Sequence, residues 1–299
     1  MTAVPAGLPA EGRVRLLLPS HFKAALDHVP ATVTWYEDIE EALSLPADQE
    51  AVWLASVFVP GDHATGLFVA GDTAARLLQQ DTNLSWVHYS GTGVEHMPLD
   101  LFREKGVVLT NGAGLYAQPI AEHAVMCMLA ARLNLLGLLR AQAAATWTPD
   151  VESEQELSGA VALILGYGEL GRAIGTRLVA LGVDVLATRR SAGLERDGGV
   201  VPAGDWRARL PEVDFLVLTL PSTRETRNII GASELAALKQ GAWIVNVARG
   251  NIVEEPALLD ALSSGQLGGA VLDAFVQEPL PPDHPLWRLP NVILSPHSS

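Results

Sequence analysis

Apolar residues fall in short runs separated by amphipathic stretches along most of the chain. Runs of strand length lie at 13–18, 32–36, 51–54, 84–89 and 107–109, with helical patterns such as 22–28 and 73–79 between them. The alternation restarts at 161–165 and continues at 183–187, 215–220, 243–247, 270–272 and 292–294. Strands alternating with helices predict an α/β fold with parallel sheets. We read two doubly wound parallel-sheet domains, residues 1–115 and 116–299. The segment 120–145 is rich in Ala and Leu, poor in charge and apolar on more than one face, which predicts one long buried or interface helix. Residues 1–12, rich in Ala, Pro and Gly, read as a mobile leader, and 150–158 as a polar surface connection.

Chemistry enters at GYGELG, Gly166 to Gly171, which follows the apolar run 161–165 and opens a helical pattern. Strand, glycines and helix in that order form a dinucleotide-binding fingerprint and make the second unit a Rossmann domain. Gly166 permits the tight turn, Gly168 lets the backbone approach a pyrophosphate, and Gly171 lets the helix pack closely on the strand. The helix N-terminus, from Glu169 and Leu170, offers free amides to the anion. Ile174, Leu178 and Leu181 recur at helical spacing before Gly182. An acid about 20 residues past the glycines would bind the ribose 2′-hydroxyl of NAD. Here the stretch reads LATRRS, with Arg189 in that place and Arg190 beside it, after Thr188. Two cations suit a 2′-phosphate, so NADP(H) is favoured over NAD(H); the alternative is that both arginines only face solvent.

Polar residues gather just after the strands of the second unit: Pro221, Ser222 and Thr223, then Arg249 and Gly250, then Asp273, then His297. Ligands of open α/β sheets bind at that edge. The planar fork of Arg249 can grip the carboxylate of a 2-keto acid and polarise its carbonyl, or it pairs structurally with a neighbouring acid. Glu278 and His297 each follow a strand; a carboxylate beside an imidazole favours the protonated ring and makes it a usable acid near neutrality. The other reading is that His297 merely terminates a strand. In YSGTGVEHM, residues 89–97, Gly91 and Gly93 around Thr92 can present amides to a small carboxylate or form a plain turn. His21, His28, His63, His88, His96, His123 and His284 show no paired metal spacing and read as structural or solvent-facing. No Cys/His cluster suggests zinc, and no metal is expected.

Composition narrows the picture further. A net charge of −14 argues against nucleic acid and anionic membrane surfaces as partners. The single Cys127 cannot form an internal disulfide, which fits a reducing compartment, and reads as a buried small hydrophobe. With no signal-type apolar run and no stretch of the ~18 apolar residues of a membrane span, the expected location is the cytoplasm.

With GYGELG, LPSTRETRNII (220–230), LKQGAWIVNVARG (238–250), LDAFVQEPLP (272–281) and HPLWRLPNVILSPH (284–297) in this order, the chain resembles the D-isomer-specific 2-hydroxyacid dehydrogenases. That family includes glyoxylate/hydroxypyruvate reductases and phosphoglycerate dehydrogenase. The resemblance implies hydride transfer between NAD(P)H and a small 2-keto or D-2-hydroxy acid of the glyoxylate or hydroxypyruvate type. It makes Arg249 the substrate-binding, carbonyl-polarising arginine, Glu278 the acid supporting the histidine, and His297 the general acid/base. Gly91, Thr92 and Gly93 become a substrate-carboxylate cradle. The cofactor set becomes Gly166, Gly168, Glu169, Leu170, Gly171, Thr188, Arg189, Arg190, Pro221, Thr226, Val247 and Asp273, with Asp273 on the nicotinamide side. A homodimer built around the helix from Ile120 is implied too. Arg189 departs from the family's acidic ribose residue and resembles the NADPH-using reductase branch. Alternatives are a phosphoglycerate dehydrogenase-like NAD enzyme, a formate- or phosphite-oxidising relative, and a non-catalytic dinucleotide-binding sensor or corepressor-like protein.

Overall fold

The computed structural model describes residues 15–19, 32–36, 51–54, 74–79, 86–89, 91–147, 155–189, 200–202 and 204–299. The leader 1–12, the helical pattern 22–28, most of the connection 150–158 and Arg190 lie outside the described residues. The chain divides into two compact units, Met1–Ala113 and Gly114–Ser299.

In the first unit, β1 (Arg15–Pro19), β2 (Thr32–Tyr36), β3 (Ala51–Leu54), β4 (Trp86–Tyr89) and β5 (Val108–Asn111) form a parallel sheet in the order β2-β1-β3-β4-β5. This is a flavodoxin-like doubly wound order. Helix α1 (74–79) and helix α2 (Leu99–Lys105) contribute Leu77, Leu78 and Phe102 to a core shared with Val87 and Tyr89.

The second unit is built on seven parallel strands: β6 (Val161–Leu165), β7 (Asp184–Thr188), β8 (Val201–Pro202), β9 (Phe215–Leu218), β10 (Ala242–Asn246), β11 (Leu267–Leu272) and β12 (Val292–Leu294). Their order, β12-β11-β10-β9-β6-β7-β8, is that of a Rossmann sheet extended by one strand. The central strands are mostly apolar because both faces are covered. Side chains alternate between two cores as the strand period of two requires. Ala162, Ile164, Phe215, Val217, Val245 and Val271 face one core. Leu163, Leu165, Leu216, Leu218, Ile244 and Leu272 face the other. Helices α3 (Ala117–Arg132) and α5 (Glu169–Ala180) cover the first core. Helices α6 (Ala232–Ala237) and α7 (Glu255–Ser263), with the 3-10 turn Trp206–Glu212, cover the second.

The long helix expected from Ile120 is two helices. After α3 the chain breaks at Leu133 and Asn134 and resumes as α4 (Leu135–Ala143), bent by 67°. Asn134 takes a left-handed φ of 49°, and its Oδ1 accepts a hydrogen bond from the Gly137 amide at 3.2 Å, capping α4. The apolar periodicity runs through this break, so it does not show in the pattern. Burial also divides there: α3 buries Ala117, Ala121, Ala124, Val125, Cys127 and Met128, whereas α4 buries none of its residues. No single helix among the described residues is long and apolar enough to cross a membrane. The short edge strand β8 was not expected; it contains Pro202 and, among the described residues, pairs with β7 alone, the kind of position a sheet tolerates for proline.

Candidate functional site

The glycine loop sits between β6 and α5, where the sheet order reverses between β6 and β9. Gly166 has a φ of +103°, and a Cβ there would meet the Thr219 carbonyl carbon at 2.9 Å. A Cβ on Gly171 would lie 2.3 Å from the Gly166 carbonyl oxygen. Both positions therefore need glycine for the strand, turn and helix to close on one another. Gly168, the N-cap of α5, is the opposite case: nothing lies within 4 Å of a Cβ built on it, so its open face leaves room for a ligand. The first-turn amides of α5 have no carbonyl partner within the helix, as at any helix start. An open backbone face beside free amides fits the pyrophosphate of a dinucleotide. Thr219, which the sequence reading missed, donates its hydroxyl to the Gly166 carbonyl at 2.5 Å and locks the loop to β9. Thr188, at the end of β7, holds it from the other side by accepting the Tyr167 amide at 2.8 Å. Arg189 follows, exposed.

Pro221 and Thr226 belong to one turn after β9, where the Thr226 hydroxyl donates to the Pro221 carbonyl at 2.7 Å. The Val247 side chain is buried in the core, so only its backbone is available to a cofactor. Leu170 packs partly on the same core, and Glu169 is exposed in the first turn of α5.

Arg249 leaves the end of β10 in an extended conformation, φ −141° and ψ 145°. Its loop is held by Asn246, 1% exposed and a second residue the sequence reading passed over. The Asn246 amide nitrogen donates to the Arg249 carbonyl at 2.9 Å, and its Oδ1 accepts the Ala248 amide at 3.1 Å. A polar residue inside an apolar strand run, IVNVA, was the signal available for it. Gly250 comes next. A Cβ there would fall 2.0 Å from the Phe275 carbonyl carbon and 2.4 Å from the Val276 amide nitrogen. Only glycine lets the segment after β11 cross here, and that crossing brings Glu278 to the arginine.

Glu278 accepts the Phe275 amide through Oε1 at 2.8 Å, while its Oε2 lies 2.8 Å from Nδ1 of His297. Burial pushes its carboxyl pKa up. The hydrogen bond and charge of His297, the Phe275 amide and the charge of Arg249 outweigh that and hold it below the ordinary carboxylate value. The structure thus brings Arg249, Glu278 and His297 together at the carboxyl ends of β10, β11 and β12. With Nδ1 engaged by the carboxylate, Nε2 is the ring nitrogen left for a substrate. His297 also has a left-handed φ of 52°, a region that for non-glycine residues is sparsely populated and gathers at functional sites. Asp273 is 3% exposed, and its carboxylate accepts donors from Ser295, Ser298 and Ser299.

In the first unit, the loop after β4 is tied to β5: the Gly112 amide donates to the Gly91 carbonyl at 3.0 Å and the Asn111 side chain to the Thr92 carbonyl at 2.6 Å. Gly91 packs over the buried Tyr89 ring, 2.5 Å from its own would-be Cβ, and Gly93 follows in the same turn. His284 is structural, accepting the Leu286 amide through Nδ1 at 3.3 Å with Glu255 at Nε2, also 3.3 Å away. Burial, and secondarily the charge of Asp273, push the Cys127 thiol up to about 11, which makes it a poor nucleophile. Among the described residues no three His, Cys, Asp or Glu side chains form a cluster fit for a metal ion.

A Rossmann sheet with its glycine loop at the switch point, and an Arg-Glu-His set at the same strand edge, defines a nicotinamide-dinucleotide oxidoreductase. Residues 125–299 match the family described as D-isomer specific 2-hydroxyacid dehydrogenase, NAD binding domain. The chain is 33% identical to glyoxylate/hydroxypyruvate reductase B of Pectobacterium carotovorum over 279 residues, covering 89% of this chain and 87% of the relative. It is also 33% identical to the D-3-phosphoglycerate dehydrogenase of Archaeoglobus fulgidus over 224 residues, which are 75% of this chain but 42% of that protein. A solved D-isomer specific 2-hydroxyacid dehydrogenase family protein from Aeromonas salmonicida superposes with a TM-score of 0.77 at 32% identity, covering 96% of this chain and 89% of that one. The chain belongs to the D-isomer specific 2-hydroxyacid dehydrogenase family, whose members are NAD(P)-dependent oxidoreductases acting on CH–OH groups.

Proposed function

We propose that this protein is an NADPH-dependent reductase of a small 2-keto acid of the glyoxylate or hydroxypyruvate type. The observation that carries the reading is the Arg249, Glu278 and His297 set, with its 2.8 Å Glu278–His297 hydrogen bond at the strand edge that holds the glycine loop. A dihydronicotinamide cofactor, held by the glycine loop and the α5 amides, would supply the hydride that C2 of the substrate accepts. Arg249 grips the substrate carboxylate and draws electron density from the carbonyl. His297 gives the Nε2 proton to the carbonyl oxygen as the alcohol forms, and Glu278 at Nδ1 orients the ring and stabilises its charged form. General acid catalysis of this kind contributes about 10²–10⁴-fold. The same reading makes the first unit the substrate-binding domain and gives Gly91, Thr92 and Gly93 a share in holding the substrate.

The cofactor preference is supported by Arg189, exposed directly after β7 where an acid would bind a 2′-hydroxyl. Arg190 adds a second cation in sequence. The open face of Gly168 and the α5 amides would hold the pyrophosphate. We assign a homodimer to the α3–α4 pair, supported by the exposed apolar Met126, Leu133, Leu135 and Leu139. The cytoplasm is the proposed location, supported by the lone buried thiol of Cys127.

A kinetic panel tests the reading: glyoxylate, hydroxypyruvate, pyruvate and a bulkier keto acid, each with NADPH and with NADH. Turnover of a small keto acid with a higher kcat/KM for NADPH is expected. Equal or better efficiency with NADH overturns the cofactor assignment. Cofactor binding without oxidation across the panel overturns the enzyme assignment in favour of a dinucleotide sensor.

A further inference from the structure

We infer that Ser295 is a positioning residue for His297, fastening the turn that carries the imidazole to Asp273 and, through His123, to helix α3. The inference rests on the reading of His297 as the general acid.

The turn is organised around one buried carboxylate. Asp273 Oδ1 accepts the Ser295 hydroxyl at 2.6 Å, the Ser298 amide at 3.1 Å and the Ser299 amide at 3.3 Å. The Ser299 hydroxyl donates to Oδ2. Residues on both sides of His297 are thus drawn to the same group, while His297 itself turns away from it with φ 52°. The left-handed region is unfavourable for an L-residue, so an unclamped turn would relax out of it. The main-chain bonds of Ser295, its amide to the Leu272 carbonyl and its carbonyl to the His297 amide, both 3.0 Å, are open to any residue. Its hydroxyl is the specific part.

That hydroxyl has a single proton, and Asp273 receives it. In the 3.3 Å contact between Ser295 Oγ and His123 Nε2, the oxygen must therefore accept, and Nε2 is the ring nitrogen that carries the proton. His123 stands on α3 one turn before Cys127, whose Sγ lies 3.6 Å from the same Nε2. The direction runs from His123 to Ser295 to Asp273, each group satisfied by the next. At its far end the His297 ring is held through Nδ1 by Glu278. The ring is fixed by one carboxylate and the residues flanking it by another, so that both aim Nε2.

The test combines kinetics with a readout of the imidazole itself. Full-length Ser295→Ala, Ser295→Thr and His123→Ala are compared with wild type in the reduction of the best keto acid of the panel. The proton shared by His297 Nδ1 and Glu278 is followed as a downfield NMR resonance, identified by its loss in His297→Gln. A displacement of about 1 Å at a catalytic group costs on the order of 100-fold. Ser295→Ala is therefore expected to lower kcat by roughly 10- to 100-fold, to leave the KM for NADPH unchanged, and to broaden or shift the resonance. Ser295→Thr, which keeps the hydroxyl, restores both. Should Ser295→Ala fail to fold, His123→Ala gives the same change to a smaller degree with the turn's own sequence intact. Wild-type kcat with an unshifted resonance in Ser295→Ala, or in His123→Ala where that is the variant read, overturns the inference. If His297→Gln keeps full turnover, the reading of His297 fails instead, and the resonance still decides whether Ser295 holds the turn.

Discussion

Adding one methyl group at Gly250 should disable the site without touching any of its functional side chains. In Gly250→Ala the new Cβ meets backbone rather than a movable side chain, with the Phe275 carbonyl carbon at 2.0 Å, its oxygen at 2.3 Å and the Val276 amide nitrogen at 2.4 Å. The segment after β11 has to retreat by about 1.4 Å, from 2.0 Å to the 3.4 Å at which ordinary contact begins. Phe275 carries the amide that holds Glu278 Oε1, so Glu278 moves with it and its 2.8 Å contact to His297 is lost or lengthened. Overpacking of this kind costs about 1–3 kcal/mol. For a unit of this size that lowers Tm by about 2–4 °C per kcal/mol. A misplacement of about 1 Å in an active site costs on the order of 100-fold in rate. The assays are steady-state reduction of a small keto acid, NADPH binding by fluorescence, and thermal unfolding. We expect a Tm lower by several degrees (about 2–4 °C per kcal/mol) and a kcat reduced by roughly two orders of magnitude, with NADPH still bound, because the glycine loop is on another strand. Wild-type kcat in a folded Gly250→Ala protein would refute the claim that this crossing places Glu278.

Three further outcomes follow from the same geometry. Glu278 titrates below its ordinary value in the folded chain, so its stabilisation is present above the unfolded carboxylate pKa and is lost as pH falls through the lowered folded one. Unfolding titrations of Glu278→Gln should therefore show a shallower loss of stability below about pH 4.5 than wild type, and identical acid limbs would contradict this. Arg189→Asp should reverse the cofactor preference, lowering kcat/KM for NADPH and raising it for NADH; an unchanged ratio would mean Arg189 only faces solvent. Cys127, buried and with its thiol pushed up to about 11, should react with a thiol reagent at pH 8 only after unfolding, and Cys127→Ala should keep full turnover; rapid labelling of the native protein would disprove the buried-thiol reading.

The parts of this molecule that could be read from its residues are those with a local signature. Strands buried on both faces leave continuous apolar runs, so β6, β9 and β10 stood out, and the polar residues just past them marked the ligand edge. GYGELG carries its backbone requirements in its spacing. Features that depend on one residue meeting another across the fold left weaker traces. The kink at Asn134 lies inside an Ala/Leu-rich stretch whose periodicity continues across it, and its cause is a capping bond to Gly137. Strand β8 is two residues long and contains a proline, and it forms only because β7 presents an open edge. Thr219 and Asn246 sit at strand ends like their neighbours, and their importance comes from the carbonyls they happen to face, those of Gly166 and Arg249. Ser295 and His123 are 172 positions apart in the chain, so no local pattern links them.

The central claim, that His297 is the general acid of a keto-acid reductase, is tested most directly by one comparison: NADPH oxidation by wild type and His297→Gln at saturating glyoxylate or hydroxypyruvate. Steady turnover by the wild type is expected, with a loss of about 10²–10⁴-fold in kcat in the variant and NADPH binding retained. Equal turnover by both proteins would contradict it.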